Sequence, residues 1–157
     1  MSAQTIFDHA ALGAIIRYTD GSPRPPERHR RKLQDWQRRN SSGRLVKKQA
    51  ATIVGQTILP ANFTLHEGDF GSAGVIVLKV FKTFSVGSDL TFTVTGRSAV
   101  GSILVFDRPG AQGELVHVAA SQKDAEDWLS RHGYPQAVLQ TVTGEQAEGD
   151  PVEGRAA

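Results

Sequence analysis

The sequence predicts an α+β fold: an antiparallel β-meander of about 5–7 strands, with a basic helix before it (about 26–40) and an amphipathic helix near its end (about 122–132). Three observations carry this reading. Residues 90–95, LTFTVT, alternate, so Leu90, Phe92 and Val94 share one strand face and Thr91, Thr93 and Thr95 the other. One dry and one wet face is the pattern of an antiparallel sheet. Residues 23–39, PRPPERHRRKLQDWQRR, carry His29, Leu33 and Trp36 at i, i+4 and i+7, a narrow apolar stripe at helical spacing. Residues 121–132 open on Ser121, an N-cap with Asp124 three positions on, and set Ala125, Trp128, Leu129 and His132 on one helical face.

The elements follow in chain order. Ile15, Ile16 and Tyr18 suggest a short strand at about 12–18 that ends in the turn signal Asp20-Gly21-Ser22. Pro25 or Pro26 suits the first turn of the basic helix, since the missing N–H would be unpaired there, and Glu27 would face the positive end of the macrodipole. Asn40 to Gly43 would close that helix, with Gly43 free to turn left-handed. RLVKKQ (44–49) and QTILPANFTLHE (56–67) read as extended, the second broken at Pro60. GVIVLKVFKTF (74–84) is β-branched and aromatic, and through SVGSD it forms the expected 74–95 hairpin with LTFTVT. SILVF (102–106) and ELVHV (114–118) predict a further hairpin, and QAVLQTV (136–142) a last strand. Gly133 and Tyr134-Pro135 stop the second helix. Residues 1–143 thus form one α+β domain that includes the basic segment 17–48, while 144–157, acidic and nearly devoid of bulky aliphatics, form a disordered tail.

Charge is strongly segregated. Residues 17–48 hold eleven Lys/Arg against Asp20, Glu27 and Asp35, a net of +8, which leaves −6 on the rest of a chain whose total is +2. Such a field steers anionic partners to one side of the molecule. Like charges at i,i+4, Arg24–Arg28 and Arg28–Lys32, repel unless a counter-charge arrives from outside. The candidate nucleic-acid-binding residues are therefore Arg24, Arg28, Arg30, Arg31, Lys32, Arg38, Arg39, Arg44, Lys47 and Lys48, with Arg17 beside them. Arginine predominates, and its planar fork suits phosphate. Gln34, Gln37 and Asn40 could read base edges. Trp36, alone on the one apolar stripe, is expected to be core. DNA, held mainly through its phosphates, is the expected partner of a small accessory or regulatory protein. An acidic protein bound by the same helix or by a sheet edge is the alternative.

Other chemistries find little support. There is no cysteine, which excludes disulfides, thiolate metal sites and thiol catalysis. No apolar run approaches the ~20 residues of a membrane helix, and no secretory leader is visible. The expectation is a cytoplasmic protein, and the Arg-rich composition suggests a bacterial one. His66, Glu67 and Asp69 in HEGDFG could form an acid–base pair or ligate a metal, but the flanking glycines suggest a surface turn. His117 is expected to be a half-buried strand residue, Asp8-His9 an isolated pair near a flexible end, and Ser41-Ser42 caps. The glycine-rich GSAG and GRSAVGS lack a phosphate-loop ending. No catalytic activity, metal or cofactor is expected. The tail's Glu145, Glu148, Asp150 and Glu153 could fold back over the basic helix and compete with phosphate.

Overall fold

Five strands of one antiparallel sheet wrap an aromatic core. They are β1 (Ile15–Thr19), β2 (Ser41–Gln49), β5 (Asn62–Ser72), β6 (Val75–Ser85) and β7 (Thr91–Gly96), in the order β6-β5-β2-β1-β7. The computed structural model describes residues 1–72 and 75–144 of the chain. Strands β6 and β7 are opposite edges of this sheet, yet only residues 86–90 join them. The sheet must curl for so short a link to reach. Its side chains show the curl: Phe84 of β6 lies 4.8 Å from Tyr18 of β1 and 5.2 Å from Phe92 of β7, ring centre to ring centre. Phe63 of β5 completes the cluster, 5.4 Å from Phe92. Phe63 and Phe92 are fully buried, each contributing roughly 1.5–3 kcal/mol of burial.

The expected 74–95 hairpin does not form. β6 pairs with β5 and β7 with β1, so the two runs meet face to face across the core rather than side by side. The link between them crosses the rim, where the Val86 N–H donates to the Ala61 carbonyl at 3.0 Å. The alternation of β7 is as read: Phe92 is buried and Thr91, Thr93 and Thr95 are exposed. Helix α1 (Ala3–His9), unforeseen, closes part of the core with Ala3 and Ile6, so Asp8-His9 sits in a docked helix rather than a flexible end. Ser2 caps it by accepting from the Thr5 N–H at 3.2 Å.

Three local readings also change. Gly43 and Ser41-Ser42 belong to β2, not to a helix end. Gly43 is required there by close approach, since a Cβ would stand 2.8 Å from the His66 carbonyl oxygen. HEGDFG is strand, not turn: its residues lie within β5, with a bulge between His66 and Gly68 that leaves Glu67 as the extra residue.

A second sheet, β10-β8-β9, joins β8 (Ile103–Phe106), β9 (Leu115–Ala119) and β10 (Val138–Thr141). All four residues of β8 are buried. Ile103 and Val105 face helix α3 (Gln122–Ser130) through Ala125, while Leu104 and Phe106 pack with Val46 of β2. Pro60 does separate two strands, the small hairpin of β3 (Thr52–Val54) and β4 (Thr57–Leu59) from β5. Among the described residues no helix is long and apolar enough to cross a membrane.

Candidate nucleic-acid interface

The basic helix, α2, spans Arg30–Arg39 and follows a turn, closed from the His29 N–H to the Pro26 carbonyl, that uses up the proline segment. The expected start at Pro25 or Pro26 is therefore too early. His29 at the N-cap (φ −92°, ψ 69°) breaks the helical path and provides no side-chain cap. Glu27 falls outside the helix, so the positive end of the macrodipole meets Arg30, Arg31 and Lys32 rather than an acid.

α2 buries no residue; only Leu33 and Trp36 are half-buried along it. Polar ties near its C-terminus hold it instead. Asn40 accepts from the Thr19 hydroxyl at 2.5 Å and donates to Asp20 at 3.0 Å and to the Trp36 carbonyl at 2.8 Å. The Trp36 indole donates to the Ser22 carbonyl at 2.9 Å. Arg39 clamps Asp20 (3.2 Å) and Asp89 (3.1 Å). Lys82 of β6 donates to the Arg38 carbonyl, at the end of the helix where a cation is favourable. Hydrogen bonds from Ser22, then Asn40 and Arg39, hold the Asp20 carboxyl well below the usual carboxylate range.

Beneath the clamp, the Tyr18 hydroxyl donates to Glu67, and the Lys82 ammonium sits 4.8 Å above the Tyr18 ring centre. Burial, and then Glu67, push the Tyr18 hydroxyl pKa up, while burial lowers that of Lys82 against the pull of Glu67. Lys82 is opposite Leu65, an inward residue of β5. A lysine two positions before Phe84, on an inward strand face, is the sequence signal for this polar mouth.

The ten candidate cations separate into groups. Arg30, Arg31 and Lys32 are exposed and make no ion pair among the described residues. Arg28 is exposed and, among the described residues, donates to the His29 ring at 3.3 Å. Arg24 and Arg38 hold Glu27 and Asp35 at 3.6 and 3.5 Å in exposed i,i+3 pairs, worth roughly 0–1 kcal/mol and readily exchanged. Arg39 is committed to its two aspartates. Arg44 is half-buried on β2, donates to the Gly13 carbonyl at 2.7 Å, and lines a separate hollow with His66, Asp69 and His117. Lys47 and Lys48 lie further along β2, and at ~3.3 Å per residue the strand carries Lys48 roughly 20 Å beyond Ser41.

The HEGDFG trio also divides, His66 bonding Asp69 at 2.6 Å while Glu67 turns to Tyr18. His117 is half-buried, as expected, with its ring stacked on Trp128 at 4.6 Å and 3°. Burial, then the neighbouring His132, Arg131, Arg44 and Lys79, lower its pKa. Apart from Gly144, the tail and its expected folding back over the helix lie outside the described residues.

One family model, described as Uncharacterised conserved protein UCP036055, matches residues 1–146. The chain belongs to this family. The match takes in all three sheets and all three helices of the described residues and every cation of the α2 face, so that face lies within the family's unit. No curated protein and no solved structure matches the chain.

Proposed function

We propose that the protein binds nucleic acid, most directly DNA, as a non-enzymatic accessory or regulatory factor in the cytoplasm, and that α2 grips the phosphates. One observation carries this reading: Arg30, Arg31 and Lys32 crowd the positive end of their own helix, with no acid in its first turn. Arrangements of this kind lower helix stability, and an incoming phosphate reverses the sign of the effect, because helix N–H groups and guanidinium forks both favour an anion. Arg28, Arg24 and Arg38 flank that cluster.

Fluorescence anisotropy of a labelled duplex across several salt concentrations tests it. With four to six phosphates neutralised, the log–log slope falls at about −4 to −5. Replacing Arg30, Arg31 and Lys32 together by Glu abolishes binding without lowering the melting temperature, since acids suit a first helical turn. Absence of binding even at low salt removes this reading in favour of the acidic-protein alternative, for which β6, an open sheet edge beside α2, would serve.

A further inference from the structure

An open groove of about 800 Å³ runs between the inner flank of α2 and edge strand β6. That is the size range of a ligand site rather than of a packing defect. Trp36 on one wall and Phe81 on the other line it, together with Gln34, Gln37, the cations Arg24 and Lys82, and Glu67, which is tied to Tyr18. Trp36, expected to be core, belongs to none of the three core clusters. Its indole N–H is already engaged by the Ser22 carbonyl, so the ring is held in place while it faces the groove. Phe81 is 42% exposed, and its ring lies 5.1 Å from that of His66, which helps to hold it in place.

Resting on the phosphate grip proposed above, we infer that the partner is a single strand, with phosphates along the basic half of α2 and one or two unpaired bases stacked on Trp36 and Phe81. Duplex bases are stacked on each other and offer no free ring face to a groove lying behind the phosphate-contacting surface. An unpaired strand can turn its bases inward, and stacking platforms beside a cationic track are how such strands are held. The amides suit base edges, which a single strand exposes in full. A peptide fits less well. The groove is lined by side chains, two amides and two aromatic rings, which suit flat bases, whereas an added strand would be held by the backbone groups of β6 instead.

The test compares a labelled oligothymidylate of about 20 nucleotides with a duplex of the same length, by anisotropy at matched salt. The single strand should bind more tightly. Trp36→Ala should weaken it roughly 5- to 150-fold, as loss of one stacked base predicts, while duplex affinity changes less than about twofold and Trp36→Phe retains most of the binding. Since Trp36 also ties down α2, Phe81→Ala, on the opposite wall, must give a loss of the same kind. Equal affinity for the two probes, with neither aromatic variant changing it, overturns the single-strand inference. The phosphate reading would survive that result if the Arg30, Arg31 and Lys32 reversal still abolished binding, and would fall separately if it did not. Displacement of oligothymidylate by poly-glutamate with equal potency from wild type and Trp36→Ala would also overturn it, marking the face as a general acidic-polymer site.

Discussion

Helices α2 and α3 are nearly equal in length, ten residues against nine, and obey opposite rules. In α3, the Ser121 hydroxyl accepts from the Asp124 N–H at 3.2 Å, Asp124 itself occupies the first turn, and Ala125 is fully buried against β8. Trp128 is stacked on His117 at 4.6 Å and on His132 at 4.0 Å. α2 has no side-chain cap, cations in place of that acid, and no buried residue. Local preference and packing agree in α3, so its sequence is explained by stability. In α2 they conflict while the helix is still held firmly by Asn40, Arg39 and Lys82. Local rules are broken at functional or strained sites, and in the function proposed above the free face of α2 is such a site.

The sharpest way to break this comparison is to delete the tryptophan of each helix. Trp128→Ala removes the centre of an aromatic stack and a lid on the second sheet, and should lower stability by about 2–4 kcal/mol in denaturant unfolding, somewhat below the loss for a wholly buried Trp. Trp36→Ala should lower it by about 1 kcal/mol or less, because what it removes is one hydrogen bond and a half-exposed contact. Equal losses would mean that α2 is as structural as α3, and the argument from conflict would collapse. Caps give the next effect in size: Ser121→Ala should lose about 1 kcal/mol, whereas His29→Ala should be near neutral, there being no cap bond to lose.

What was legible in the sequence follows the same division. The α3 cap, the alternation of β7 and the β8–β9 hairpin are local patterns, and each is present. The partner of β7 was not legible, because pairing with β1 joins residues about 75 apart and depends on the curl of the whole sheet. Pro25-Pro26 looked like a helix start but forms a turn, since nothing in the local pattern shows that His29 will leave the helical path. The excess of base over acid was plain in the chain. Which arginines are spoken for was not: Arg39 meets Asp20 and Asp89 at separations of 19 and 50 residues, and Arg44 meets Gly13 at 31. Trp36 lies outside the core although it stands on the apolar stripe, because helical spacing marks the side that faces the body without telling whether the body there is a core or a groove.

Acid should separate the two helices in a definite order. His117, packed on α3, has a folded-state pKa below its ordinary value because burial disfavours the imidazolium, as do the surrounding His132, Arg131, Arg44 and Lys79. Its contribution is therefore present above the ordinary value of 6.5 and is lost as pH falls below it. Asp20, which anchors α2, is also depressed, through hydrogen bonds to its carboxylate, so its contribution persists until pH falls below the ordinary carboxylate value of 3.8. Hydrogen exchange should thus show β9 and α3 loosening between about pH 7 and 5, while α2 stays docked until about pH 4. His117→Gln should flatten the first step and leave the second. Simultaneous release of both helices at one pH would contradict the assignment of separate anchors.

The smallest effect sharpens the comparison most directly, because it asks whether α2 can be given what α3 has. His29→Ser supplies a hydroxyl at a position whose backbone already sits outside the helix, and a serine there can accept from the Lys32 N–H as Ser121 accepts from that of Asp124. The gain should be about 0.5–1 kcal/mol, read as slower amide exchange in the first two turns of α2 with no change elsewhere. A capped α2 keeps Arg30, Arg31 and Lys32 in place, so its affinity for nucleic acid should stay within about twofold of wild type. If capping slowed exchange but also weakened binding, the free N–H groups at the helix start would themselves be phosphate ligands, and the missing cap would be part of the site.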